Sequence, residues 1–218
     1  MSDPLTHGLG ELERSAEVER GTESKGERTR RELLRIAVRL FGESGYRGTS
    51  VSEITRVAGL TQAAAYAYFP NKEALFREAV DTDAAELIEQ ALGATRAAGV
   101  SARHFIPTLL VNLAGLLEQH PLAARILRGL EPDVIRHLVD LPSIHLLGDT
   151  IAEVLRDGQR SGEIRRDIDP ETIGGGVEAL VLGLMMSVAK ARGAVVQRHA
   201  FGVAAAFDAM IRPAGDGN

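Results

Sequence analysis

From Thr49 to Lys72 the chain reads TSVSEITRVAGLTQAAAYAYFPNK, and its helix punctuation is dense. Ser50-Val51-Ser52-Glu53 fits a capping box, in which the Ser50 hydroxyl and the Glu53 carboxylate each satisfy a free backbone N–H. Val51, Ile54 and Val57 with Ala58 then share one face of a short helix, which Gly59 ends. Leu60 lies in the turn, and Thr61 is placed to cap a second short helix from Gln62 to Phe69. Pro70-Asn71 breaks that helix, and Asn71 can cap a long one from Lys72 to about Leu92. Two short helices joined by a glycine turn make the helix-turn-helix layout. In DNA-binding versions the first helix braces and the second projects into the major groove. Helix N-termini and hydroxyls hold phosphates on either side. An ordinary antiparallel helix pair has the same spacing, so the layout alone leaves both readings open.

Upstream, Leu33, Ile36, Ala37, Leu40 and Phe41 recur at three- and four-residue steps in a helix that opens near Glu27 and stops at Gly45. Residues 1–26 read as a mobile acidic tail without sustained period. Downstream, every start signal is again helical. Gly99-Val100-Ser101 opens a helix with an internal Pro107, and further starts fall at Pro121, Pro132 and Pro142. Asp169-Pro170-Glu171 is the clearest: a cap, a proline at the first position, then an acid against the dipole. A last helix runs from about Val195 to Ile211. No alternating strand pattern of useful length and no internal repeat occurs, so the expected fold is all-α.

Charge is unevenly spread. The 218-residue chain carries a net −5, yet residues 25–80 hold ten basic and six acidic side chains, against acidic segments on both sides. Such a basic block suggests that one part meets a polyanion and the rest does not, although a solvated face has the same composition. There is no cysteine, which excludes disulfides, thiolate nucleophiles and cysteine-held zinc. The N-terminus lacks a secretory pattern. The longest uncharged apolar stretch, Ala179 to Ala189, is shorter than the roughly 18–20 residues of a membrane span. A cytoplasmic protein without a membrane partner is expected.

Gly45-Tyr46-Arg47-Gly48-Thr49-Ser50-Val51, Ala58-Gly59-Leu60-Thr61 and Tyr66-Ala67-Tyr68-Phe69-Pro70-Asn71-Lys72-Glu73-Ala74-Leu75 resemble the DNA-binding signature of the tetracycline-repressor (TetR) family. The resemblance covers roughly residues 28–76. It implies an N-terminal three-helix DNA-binding domain, here residues 27–75, and a C-terminal helical ligand-binding and dimerisation domain, residues 76–218, with residues 72–92 as connector. The implied partners are an inverted-repeat DNA operator, a small-molecule effector and a second copy of the chain. Ser50, Tyr66, Tyr68 and Lys72 match positions that commonly touch phosphates; Gln62, Ala63 and Ala64 match the start of the recognition helix. Thr49, Thr61 and Arg28 complete the expected DNA-binding set. Ile54, Ala58, Leu60, Ala65 and Phe69 match packing positions. Thr55, Ala63 and Ala67 depart from a usual alanine, glycine and histidine respectively. With alanine at 63, 64 and 67, Gln62 is the one long polar side chain left for base edges. Lys25, Arg28, Arg30 and Arg31 open the first helix and suit either a phosphate-reaching arm or a solvated start.

In the C-terminal half, Gly174-Gly175-Gly176-Val177-Glu178-Ala179 spells a dinucleotide fingerprint with no strand before it, so the mechanism is missing. Gly176, Leu180, Gly183 and Ser187 instead line one narrow helical face suited to close approach by another helix. In the resembled family the last two long helices form the intersubunit bundle, which adds Gly202 and Ala205 to the expected dimer interface. His104, Phe105, Leu109, Leu113, His145, Leu146 and Met185 are candidates for lining an effector pocket, with plain core as the structural alternative. The other histidines, His120, His137 and His199, form no ligand set by spacing. No catalytic constellation, metal site or cofactor motif stands out, so an enzyme is the weakest reading. The second reading is a helical ligand-binding or protein-interaction module of this fold that has lost sequence-specific DNA binding.

Overall fold

The computed structural model describes residues 24–135, 140–190 and 194–213. Among these, every regular element is helical. α1 spans Lys25–Gly48, α2 Val51–Val57, α3 Gln62–Tyr66, α4 Lys72–Ala97 and α5 Ala102–Leu116. A 3-10 turn, Leu117–Gln119, leads into α6 (Pro121–Leu127), α7 (Pro132–Ile135), α8 (Pro142–Ser161), α9 (Pro170–Lys190) and α10 (Ala194–Ile211). The all-α expectation holds. Most of the expected tail, His137 and the His199 side chain lie outside what is described.

Several boundaries differ from the sequence reading, each for a local reason. α1 begins at Lys25 because the complete capping box is Ser24–Glu27: the Glu27 N–H donates to Ser24 Oγ and the Ser24 N–H to Glu27 Oε2. At Ser50 only half of the expected box forms, with the Glu53 N–H donating to Ser50 Oγ at 3.1 Å. α3 ends at Tyr66, since the Tyr68 and Phe69 N–H groups both turn back to the Ala65 carbonyl. α4 runs to Ala97, past Leu92, because a single Gly93 does not break a helix.

α4 is the spine. It packs on α1, α5, α6 and α8, and one continuous core runs from Leu33 and Phe41 on α1 to Phe207 and Ile211 on α10. Three helices that meet it or its neighbours start without a side-chain cap of their own, at His120, Leu141 and Ser101. Carboxylates distant in sequence take over. Asp83 accepts the Ala123 N–H at 2.7 Å for α6, Asp81 the Ser143 N–H at 3.2 Å for α8, and Glu163 the Ala102 N–H at 2.9 Å for α5. Each places an acid on a helix N-terminus, where the unpaired amides and the macrodipole favour it.

α1 is held against α6 just as closely. A Cβ on Gly42 would lie 2.9 Å from the Pro121 ring. Three residues on, Gly45 breaks α1 with φ 75°, and the Tyr46 N–H then donates to Glu131 Oε1, which also receives Arg125 Nε at 2.8 Å. α8 and α9 pair along most of their length, with a Gly174 Cβ allowed only 2.9 Å from the Gly148 carbonyl oxygen. α9 is the one described helix long and apolar enough by composition to cross a membrane. It nevertheless buries Val177, Val181, Leu184 and Met185 and carries Glu178 in its middle.

Gly45 and Gly59 both have positive φ, 75° and 66°, but only Gly45 is surrounded; nothing lies within 4 Å of a Cβ at Gly59. Gly59→Ala should therefore cost about 1–2 kcal/mol, the left-handed penalty alone. Gly45→Ala should cost roughly 2–4 kcal/mol, because its Cβ also displaces the Arg125–Glu131 pair. Urea midpoints with unchanged m-values would measure both.

Candidate nucleic-acid interface and internal cavity

The helix-turn-helix is assembled from the inside. Ile54, Ala65 and Phe69 are buried, Val51 joins them, and Leu60 packs beside them, so α2 and α3 share the core of α1. Thr55, which stands where alanine is usual, is fully accommodated: its hydroxyl donates to the Val51 and Ser52 carbonyls at 3.0 and 3.1 Å inside its own helix. An aromatic group of Phe41, Tyr46 and Phe76 joins α1 to α4, with Phe41 and Phe76 edge-on at 4.8 Å.

On the outer surface, Ser50 and Thr61 are exposed caps, Thr61 Oγ1 accepting the Ala64 N–H at 3.2 Å. Gln62 and Ala63 are exposed at the start of α3, Ala64 is half-buried, and Tyr66 is 48% exposed beside Ala67. Tyr68 is half-buried, its hydroxyl beside Gly26 at the start of α1. Arg28 is exposed on the first turn of α1. Lys72 opens α4 with its ammonium 4.3 Å above the Tyr46 ring, so the same contact that orients it also keeps it at this surface.

Two sequence expectations change. Thr49 is 2% exposed and its hydroxyl donates to the Leu40 carbonyl at 3.0 Å, so its side chain secures the end of α1 and does not face outward. Arg30 is not a free arm: it forms an ion pair with Glu78 and lies 5.1 Å over the Phe69 ring, clamping α1 to α4 and to the end of the α3 turn.

Residues 33–79 match the sequence profile described as bacterial regulatory proteins, tetR family. A 59-residue segment is 41% identical to the HTH-type transcriptional regulator AcrR of Shigella flexneri, covering 27% of each chain. A longer match, 30% identical over 152 residues, covers 65% of this chain and 71% of the HTH-type transcriptional repressor KstR2 of Rhodococcus jostii (strain RHA1). The chain belongs to the TetR family. The fold agrees with that of a TetR-family transcriptional regulator from Mesorhizobium loti MAFF303099, at TM-score 0.67 and 24% identity over 87% of this chain and 100% of that one.

Within this TetR-family chain a cavity of about 60 Å³ lies between α4, α5, α6, α8 and α9. Its walls are apolar, among them Leu87, Ile126, Leu147 and Val181, with the expected Leu113 and Met185. The other expected pocket residues fall elsewhere. Phe105 and Leu109 are buried core outside it, while Leu146 is 49% exposed and His145 faces outward next to it. His104 is exposed at the start of α5, bonded to Ser101 Oγ at 2.9 Å. The amphipathic phase of α5 and α8 decides this, and adjacency to an apolar run in sequence does not reveal it.

Glu178 is the residue that sequence reasoning missed. It is the one acid among the lining residues, and its carboxylate rests where a side chain at Gly148 would otherwise sit. Burial pushes its carboxyl above the ordinary carboxylate range, opposed by the charge of His145 and reinforced by Asp149. The signal was present: Glu178 is the single charge between Thr172 and Ala189. The expected dimer residues divide likewise. Gly176, Leu180, Gly183, Gly202 and Ala205 are exposed, while Ser187 is half-buried and engaged within the chain.

Thr49→Val keeps the shape and deletes the bond to Leu40. It should lower stability by about 1 kcal/mol in urea titration, yet leave the affinity of the folded protein for DNA unchanged.

Proposed function

We propose that this chain is a homodimeric, ligand-responsive transcriptional repressor that docks α3 in the DNA major groove and is released by a small molecule. The observation that carries the reading is the outward face of α3. Gln62 and Ala63 stand exposed between the hydroxyl caps Ser50 and Thr61 and the flanking Tyr66 and Lys72. A helix start of this kind offers amides and hydroxyls to phosphates while a glutamine reads adenine and methyl groups meet thymine. Residues 27–75 act as the DNA-binding part, the remainder as the regulatory and dimerising part, and the protein works in the cytoplasm with its operator and without catalysis. The function of KstR2 as a repressor supports the direction of control.

Dimerisation uses the exposed small-residue face of α9 and α10, where Leu180 is 49% exposed and Gly176, Gly183, Gly202 and Ala205 let a partner helix come close. A two-fold dimer presents two recognition helices about 34–36 Å apart or a multiple, which calls for an inverted-repeat operator. The effector enters at the apolar cavity walled by α4, which at about 60 Å³ must widen to admit it; α4 also carries Lys72 at its first turn, so a guest that favours one position of α4 changes the spacing of the two α3 helices. It is apolar, with one hydrogen-bond donor at the Glu178 end.

Selection of bound sequences from a random DNA pool should return a palindrome; enrichment of none, with a monomer in sedimentation, would overturn the reading. Gln62→Ala should cost about 1–3 kcal/mol on the best site and relax one base step. Lys72→Ala should weaken all sequences alike and lower the salt slope by about one. Calorimetry with and without operator should give an effector affinity weakened by DNA, by roughly 5–150-fold, and Glu178→Ala should weaken effector binding without changing operator affinity in its absence.

A further inference from the structure

We infer that the effector of the apolar cavity is a cationic amphiphile, an elongated apolar body ending in an ammonium group that pairs with Glu178. This rests on the reading of that cavity as the effector site and names the chemical class that fits it. Apart from Glu178, every lining residue is apolar. The lining follows α4 from Val80 to Ile88, a helical rise of roughly 12 Å. On α9 it runs from Glu178 to Met185, so the one charge marks an end of that wall and the apolar surface lies to one side of it.

The protein leaves this carboxylate without a partner. Among the described residues no hydrogen bond or ion pair reaches it. It is half-buried and rests in the space that Gly148 leaves open on α8. Nothing bonds it there, so rotation of the side chain brings it to the cavity that the same residue already lines. The charged groups that face it, His145 and Asp149 of α8, are both exposed and act in opposite senses, so neither serves as its counter-ion.

A guest that fills the cavity also strips water from this carboxylate. A neutral donor would satisfy one oxygen and leave the charge buried and uncompensated, which is the costly case. An ammonium supplies the hydrogen bond and the counter-charge together, and charge-assisted bonds are the stronger kind. A carboxylate guest would set like charges side by side. The class is therefore an amphipathic monoamine. Its apolar body supplies affinity by leaving water, and the ion pair at one end fixes its orientation.

Calorimetry on the full-length protein at neutral pH, with n-octylamine, n-octanol and n-octanoate as probes, tests this. Octylamine should bind tightest and octanoate weakest. Glu178→Gln keeps the size and the hydrogen-bonding atoms but removes the charge. It should weaken octylamine by roughly 10–100-fold and leave octanol unchanged. Glu153→Gln, at an exposed acid of α8 outside the cavity, should alter neither. Octanol binding as tightly as octylamine in the unmodified protein, or octylamine binding that Glu178→Gln leaves intact, would overturn the cationic class. Val181→Phe, which fills the cavity, separates the two readings. If it abolishes equal binding of octanol and octylamine, the cavity stands as a binding site and only the cationic class falls. If no probe binds, or Val181→Phe leaves binding untouched, both readings fall. Glu178-dependent binding of octylamine that leaves operator affinity unchanged would keep the cation site and remove this probe's regulatory effect.

Discussion

The buried carboxylate of Asp83 is the constraint on which the body of the molecule depends. A carboxylate 2% exposed is tolerated only if its lone pairs are used, and both oxygens are: one by the His120 ring, the other by the Ala123 N–H. Its position on α4 fixes where α6 begins, and α6 in turn supports α1 through the close approach of Gly42 to Pro121. Two residues earlier on the same helix, Asp81 does the equivalent for α8. The long helix thus does more than connect. It supplies the N-terminal caps of two helices that begin with proline and have no capping side chain of their own, and thereby sets the frame in which the α3 face and the apolar cavity are held.

The proposed recognition surface is correspondingly lean. α3 is five residues long and three of them are alanine, so its stability comes from Thr61 at one end and from burial of Ala65 and Phe69 beneath it. Few side chains remain to compete for bases. The surrounding polar groups are instead held in place: Ser50 and Thr61 by their capping bonds, Lys72 by the Tyr46 ring, Arg30 by Glu78 and Phe69. Ordering them beforehand reduces the conformational entropy lost on binding. It also means that the position of α4, which carries Lys72 and Glu78, is felt directly at the proposed DNA-facing side.

The apolar cavity adjoins the same helix. Val80, Leu87 and Ile88 of α4 form one wall, and Glu178 of α9 is the acid among the lining residues. An apolar cavity of this kind binds by shape and excluded water, and one hydrogen bond is enough to orient a guest in it. α9 thereby presents two faces, with Val181 and Met185 turned to the cavity and Gly176, Leu180 and Gly183 left outward. The glycines at Gly148 and Gly174 serve a separate end, the close contact of α8 with α9 within one chain.

Local chemistry was legible in the sequence because it acts over one helical turn. Ser50, Thr61, Asn71 and Asp169 cap the helices they were expected to cap, and prolines at positions 121, 132 and 142 start helices. The helix-turn-helix and its family signature lie in one contiguous stretch, so the exposed set around Gln62 is readable from the sequence. What the tertiary structure alone decided joins residues far apart. Thr49 turns inward to Leu40 and Arg30 is taken by Glu78 and Phe69, although both looked available. Asp83 meets His120, Glu163 caps α5, and Glu178 enters the cavity while His104 and His145 stay outside it. The physical reason is range: a cap or a turn is settled by a few neighbouring bonds, whereas the partner of a buried charge depends on how whole helices are packed.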